Sequence, residues 1–251
     1  MNVTRVGVLG ALGRMGTTVS EAVAAAPDLE LGGRVDKDDA LDGLAGSDVV
    51  VCFTAAGQAI ESLRWCSAAG IHAVIGTTGW DDAGVDELRR LFPGPPTGPN
   101  AVLAANFAIG AVMLMRMAEL AAPWFDTAEV IELHHDGKAD APSGTALVTA
   151  DRMAAARLAA GAGDFGADPT TSEVLAGARG AHAAANIRVH SVRMRGMVAH
   201  QEVILGTTGQ TLTLRHDSID RQSFVPGILL AVRHVTDRPG LTVGLDVLLG
   251  L

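Results

Sequence analysis

Short runs dense in Val, Ile and Leu recur through the first hundred residues, each followed by a stretch whose apolar positions fall three and four apart. RVGVLG (5–10), LELGGRVD (29–36), SDVVVCFT (47–54), IHAVIGTTG (71–79) and AVLAANF (101–107) read as strands. The intervening spacing predicts helices from Arg14 to a stop at Pro27, over 58–69 and over 81–91. Nearly continuous apolar strands that alternate with helices predict a parallel sheet covered on both faces. After residue 107 the rhythm changes to a helix (108–122), a strand (127–134), an Ala-rich helix (144–161) and a Gly/Ala/Asp/Pro-rich loop (161–186). NIRVHSVRM, AHQEVILG and QTLTLRHD follow, separated by glycine-bearing turns that predict antiparallel pairing. A helix over 221–235 and the tail LTVGLDVLLGL complete the pattern.

Composition narrows the class. The chain has 251 residues, enough for one large domain or two modest ones. A net charge of −9 argues against nucleic-acid or acidic-membrane partners, which need concentrated positive charge. Two cysteines, Cys52 and Cys66, make neither a disulfide framework nor a metal pattern and read as buried thiols of a reducing compartment. The apolar stretch 101–123 is interrupted by Asn106, Arg116 and Glu119, so no membrane span is expected. The opening MNVTRVGVLG lacks the basic and long apolar regions of a secretory leader, and a cytoplasmic location is expected.

The first chemical signal is the turn VGVLGALGRMG, which sets Gly10, Gly13 and Gly16 between a strand and a helix. Glycines there permit a sharp turn, close approach of backbone to a pyrophosphate, and tight helix–strand packing, while the helix start offers N–H groups to phosphate. Gly10, Ala11, Leu12, Gly13, Arg14 and Met15 are the expected phosphate-binding residues. Asp36, 20 residues after Gly16 at the end of the second strand, stands where an acid binds ribose hydroxyls. Asp36 favours NADH, whereas Arg14 and Arg34 would suit the 2′-phosphate of NADPH, so the coenzyme choice stays open. The expected fold is α/β, a Rossmann-type parallel-sheet domain plus a mixed α+β domain. Two later strand ends, Gly76-Thr77-Thr78 and Ala104-Ala105-Asn106-Phe107, lie where ligands of open sheets bind, although Asn106 suits equally the cap of the next helix.

The densest signal is HHDGKADAPSGT (134–145). Strand alternation puts Glu132 and His134 on one face and Leu133 and His135 on the other, so a bend at Asp136-Gly137 is needed to gather both histidines. Ser143 is a good N-cap, and Gly144 and Thr145 open a helix whose first N–H groups lack helical acceptors. Lys138 beside such a helix start is a carboxylate receptor, and a histidine next to it exchanges protons near neutral pH. Adjacent histidines are a poor chelate and Lys138 would repel a cation, so no metal is expected.

VIELHHDGKADAPSGTA closely resembles the signature of the bacterial 4-hydroxy-tetrahydrodipicolinate (dihydrodipicolinate) reductases of lysine and diaminopimelate biosynthesis. GVLGALGRMG, VIGTTGW, AANFAIGAV, GMVAHQEVILG and LTLRHDSIDRQSFVPG occur in family order, so the resemblance runs almost end to end. It implies an NADH- or NADPH-dependent reductase of a small cyclic dicarboxylate. Residues 1–107 with 217–251 would bind the dinucleotide, and 108–216 would bind substrate and assemble a homotetramer. His134 would be the acid/base residue and Lys138 the proton donor or electrostatic partner, with His135, Ser143, Gly144 and Thr145 on the substrate carboxylates. Residues 10–15, Asp36, 76–78 and 104–107 would line the cofactor. Three positions depart from the family's habit: Cys52 replaces an aspartate, Gly137 often a histidine, and Ala105 stands where many members carry proline.

Overall fold

The computed structural model describes residues 3–54 and 56–251. The chain divides into two compact units, one formed by residues up to 109 with 221–251 and the other by 110–220.

The first unit is built on strands β1 (Thr4–Leu9), β2 (Leu29–Val35), β3 (Val49–Cys52), β4 (His72–Ile75) and β5 (Ala101–Leu103), joined by β11 (Leu241–Val243) from the chain's far end. Their order is β11-β5-β4-β3-β1-β2. Every pairing in it is parallel. Val49, Val50, Val51 and Cys52 are all buried, as the continuous apolar run requires of a strand covered on both sides. Helices α1 (Arg14–Ala25), α2 (Ala56–Ala68) and α3 (Asp82–Leu91) make the crossovers. Asp81 caps α3 by accepting the Gly84 N–H at 2.8 Å. Leu63, Leu88 and Phe92 pack on Val50, Ile75 and Leu103 in one core. β1 has β2 on one side and β3 on the other, so chain order reverses there and a crevice opens beyond the strands' carboxyl ends.

The second unit holds a five-stranded sheet in the order β10-β9-β6-β8-β7. Its strands are β6 (Thr127–His134), β7 (Ala181–His182), β8 (Arg188–Arg193), β9 (Ala199–Thr207) and β10 (Gln210–Ser218). One expectation is corrected here. β9 and β10 form the predicted antiparallel hairpin, but β8 and β9 do not pair with each other. β6 lies between them, parallel to β8 and antiparallel to β9. The glycine turn after β8 therefore carries the chain over a strand laid down earlier, a choice that turn residues cannot reveal. Within the stretch read as loop, β7 adds a two-residue antiparallel edge to β8. Helices α4 (Ile109–Ala121) and α5 (Gly144–Ala159) contribute Leu114, Ala118, Ala146, Ala150 and Met153 to a core with Val130, Val189, Val203 and Leu205. Buried Arg157 closes this unit, donating to the carbonyls of Gly163, Ala122, Phe125, Ala162 and Asp164 and stacking over Phe165 at 4.1 Å. α6 (Val225–His234) and α7 (Asp246–Leu249) return to the first unit, with β11 between them in sequence. Among the described residues no helix is long and apolar enough to cross a membrane.

Candidate active site

At the end of β1, Gly10 turns with φ +80° and its N–H donates to the Val35 carbonyl at 2.8 Å. A Cβ on Gly10 would lie 2.6 Å from the Phe53 carbonyl oxygen, and one on Gly16 would lie 2.0 Å from the Gly10 carbonyl oxygen. Side chains are thus excluded where the turn folds onto β3 and where α1 packs against it. Gly13 is the N-cap residue of α1 and provides no side chain to cap it. The Asp36 carboxylate accepts the Leu12 N–H at 2.8 Å and the Lys37 N–H at 2.9 Å. Those two backbone hydrogen bonds, Lys37 first and then Leu12, hold its pKa below the usual carboxylate range. Arg34 reaches the Ala11 carbonyl at 3.4 Å, which sets a guanidinium against the turn.

Beside this turn lies a cavity of about 350 Å³. The expected residues Gly13, Arg14, Met15, Gly76, Thr77 and Thr78 line it. Phe53, Thr54 and Arg221 complete the lining. Arg221 was not among the sequence candidates, since it lies far along the chain and joins this unit only on the return from the second. The two threonines differ. Thr77 is buried and its hydroxyl accepts the Thr54 N–H at 3.4 Å, whereas Thr78 is exposed. The Cys52 thiol sits 3.5 Å from the Thr54 hydroxyl and 3.6 Å from that of Thr77, and burial pushes its pKa up. The buried Cys52 thiol thus joins the loops that carry Thr54 and Thr77. Gly76 must be glycine, because a Cβ would meet the Phe53 ring at 2.1 Å. Phe53 in turn meets Phe107 edge-on at 6.1 Å, which ties the 104–107 loop to the cavity wall. Ala104 is buried with its N–H on the Ile75 carbonyl, and Ala105 is exposed. Asn106 accepts the Ala108 N–H at 2.8 Å, closing a turn just before α4.

The second cluster lies wholly within the other unit. His134 ends β6, and the chain bends through Asp136-Gly137, with the Lys138 N–H on the His135 carbonyl at 3.1 Å. Gly137 does not take up a positive φ, and a Cβ there would lie 3.3 Å from His135 Nδ1. His134 Nδ1 is 2.5 Å from Glu132 Oε2. Arg193 grips the same carboxylate with both terminal nitrogens, at 2.8 and 2.7 Å, and donates to the Asp140 carbonyl at 2.7 Å. The Ser143 N–H reaches Glu132 Oε1 at 3.2 Å, while its hydroxyl caps α5 by accepting the Ala146 N–H at 3.2 Å. Glu132 is fully buried. Burial pushes its pKa up, but hydrogen bonds from His134, Arg193 and Ser191 outweigh that and bring it down to about 2. Lys138 forms a two-pronged ion pair with Asp140 at 2.7 and 2.8 Å. His134, Ser143 and Lys138 thus join one network, through Glu132, Arg193 and Asp140. Gly144 and Thr145 follow Ser143 at the start of α5, with open space beside Gly144. His135 follows the strand end, and its ring takes no part in that network.

The profile described as dihydrodipicolinate reductase, N-terminus, matches residues 4–107, and the one described as dihydrodipicolinate reductase, C-terminus, matches residues 110–249. The chain belongs to the dihydrodipicolinate reductase family. It is 56% identical over 250 residues to the 4-hydroxy-tetrahydrodipicolinate reductase of Nocardia farcinica, covering 98% of this chain and 99% of that one. Identity to the enzyme of the same name from Thermobifida fusca is 55% over 248 residues, with 98% and 99% covered. Among solved structures it resembles a dipicolinate-bound dihydrodipicolinate reductase from Paenisporosarcina sp. TG-14, with a TM-score of 0.83, 35% identity, and 98% and 99% of the two chains covered. For a dihydrodipicolinate reductase family member, Glu132, Arg193 and Asp140 are the additions that sequence reasoning missed. Glu132 carried a signal, as it continues the inward row of Ala128 and Val130 on β6. Arg193 carried none, since only the parallel β6–β8 register sets it opposite His134.

Proposed function

We propose that the protein reduces 4-hydroxy-tetrahydrodipicolinate, by way of dihydrodipicolinate, to tetrahydrodipicolinate, with NADH or NADPH as reductant, in lysine and diaminopimelate biosynthesis. The observation that carries this reading is the His134–Glu132–Ser143 network at the head of α5, with Lys138 held beside it through Asp140. A reduced nicotinamide dinucleotide suits the first unit, because a cavity lined by Gly13, Arg14, Met15, Gly76, Thr77 and Thr78 opens beside the glycine turn at the start of α1. Residues 10–15 would hold its pyrophosphate at the start of α1, Asp36 its ribose, and 76–78 and 104–107 its nicotinamide end. When bound, it supplies the hydride. Asp36 suits NADH, Arg34 and Arg14 suit the 2′-phosphate of NADPH, and the parallel assay below decides between them.

Substrate chemistry falls to the second unit. Its dianion is held by the Lys138 ammonium and by the backbone N–H groups of Gly144 and Thr145, with His135 as a further donor. To bind it, Lys138 exchanges the exposed Asp140 carboxylate for a substrate carboxylate. His134 gives the proton that balances the charge developing on the ring. Ser143, whose hydroxyl is engaged in capping, contributes by fixing the helix start. We assign dinucleotide binding to residues 1–107 with 217–251, and substrate binding and homotetramer assembly to 108–216, in a cytoplasmic enzyme. Half-buried Ile131, Leu133 and Ile204 on the sheet face opposite the core support the assembly.

The test is loss of reduced-nicotinamide absorbance with the product of a coupled dihydrodipicolinate synthase reaction, NADH and NADPH in parallel. His134→Gln and Lys138→Ala are each expected to cost ~10²–10⁴-fold in turnover. No oxidation of either coenzyme, or near wild-type turnover of both variants, would overturn the assignment.

A further inference from the structure

We propose that Glu132 is a positioning residue: its carboxylate fixes the His134 ring with the proton on Nδ1, leaves Nε2 as the nitrogen that exchanges a proton with substrate, and locks that ring to the start of α5. The inference rests on the function proposed above and deepens it.

Glu132 occupies a place where β6 calls for an apolar side chain. Ala128 and Val130 precede it on the same face, and both pack into the core. A carboxylate with no exposure there is strongly unfavourable unless its oxygens are satisfied. They are, and the donors are the residues the reaction needs in register. Oε2 accepts from His134 Nδ1 at 2.5 Å and from Arg193 at 2.8 Å. Oε1 accepts from Arg193 at 2.7 Å and from the Ser143 N–H at 3.2 Å. An ionised carboxylate only accepts, so Nδ1 must carry a hydrogen. In the neutral ring that places the lone pair on Nε2, and in the protonated ring it places the transferable proton there. Arg193 cancels the charge of Glu132, so the pair orients the ring without adding net charge beside a dianionic substrate. Because the other oxygen holds the Ser143 N–H, the acid and the carboxylate clamp cannot shift independently. A structural ion pair alone needs Arg193 but has no use for the bond to Nδ1.

Glu132→Gln separates these roles. Its carboxamide keeps one acceptor oxygen and gains two N–H donors. With the oxygen toward Ser143, the amide nitrogen faces one Arg193 nitrogen and donates to Nδ1; the flipped orientation likewise sets a donor against Arg193 and adds a second against Ser143. The neutral ring must therefore move its hydrogen to Nε2. Two-bond ¹H–¹⁵N correlation spectra of the full-length protein, recorded without substrate above the titration of the ring, read this directly. Wild type is expected to show His134 with Nδ1–H and Glu132→Gln with Nε2–H. The variant's kcat is expected to fall at least about 100-fold with KM changed less than about threefold. Nε2–H in the wild-type neutral ring would overturn the proposal without any variant, so a Glu132→Gln protein that fails to fold leaves it testable. An unchanged ring spectrum in Glu132→Gln, or turnover within threefold of wild type while His134→Gln is inactive, would overturn it too. Failure of the reductase reading shows separately, as no oxidation of either coenzyme by wild type or near wild-type turnover of both His134→Gln and Lys138→Ala, because the ring spectrum is taken without substrate.

Discussion

Replacing Arg193 by methionine keeps an unbranched side chain of similar volume but removes both guanidinium hydrogen bonds from Glu132. The wild-type carboxyl is held at about 2 rather than 4.5. A folded value below the unfolded one stabilises the fold above pH 4.5, and that stabilisation is lost as pH falls from 4.5 toward 2. At neutral pH it amounts to about 3 kcal/mol. Breaking a buried pair by removing one partner typically costs about 3–5 kcal/mol, because the remaining charge has no exit to water. Arg193→Met is therefore expected to lose about 3–5 kcal/mol at pH 7. The loss should narrow by about 2 kcal/mol on going to pH 3, as wild type surrenders its own advantage while the variant has little to lose. Urea unfolding followed by circular dichroism at a series of pH values measures both quantities. A gap that stays constant from pH 7 to pH 3 would refute the reasoning, because the lost energy would then be packing rather than charge.

Three further outcomes are expected. Asp140→Asn removes the exposed partner of Lys138 and should lower KM for the dianionic substrate roughly two- to fivefold at low salt, with the gain fading as ionic strength rises. Gly16→Ala forces a methyl to within 2.0 Å of the Gly10 carbonyl oxygen, and should cost about 1–3 kcal/mol in thermal or chemical denaturation and weaken coenzyme binding in a fluorescence titration. Arg157→Met removes the guanidinium donors from the carbonyls of Phe125 and three loop residues and one of the two donors from Ala122, and should lower stability by about 3 kcal/mol or more, with proteolysis of the 161–186 loop accelerated.

The parallel sheet was legible because its strands are apolar throughout and its turns are punctuated by glycine. The bend at Asp136-Gly137 and the cap at Ser143 were legible for the same local reason. What hid was pairing. Nothing in NIRVHSVRM says that it lies parallel to a strand more than fifty residues earlier, so Arg193 could not be placed beside His134. Asp140 reads from sequence as one more loop acid, and only the fold of the bend turns it onto Lys138. Arg221 lies beside Gly13 and Gly76 because the chain re-enters the first unit there. Thr77 lines the cavity while its hydroxyl accepts the Thr54 N–H, a pairing between two loops that its place in the sequence does not show.

The edge strand β11 pairs with β5 only after the chain has completed all of the second unit. On the ribosome, residues 110–220 form a continuous block that can finish folding while the first sheet still lacks its outer strand and the helix before it. The first sheet is thereby completed only after the whole of the second unit has been synthesised. A chain cut before Leu241 would keep the acid/base cluster and leave β5 as a bare parallel edge, a template for pairing with other chains.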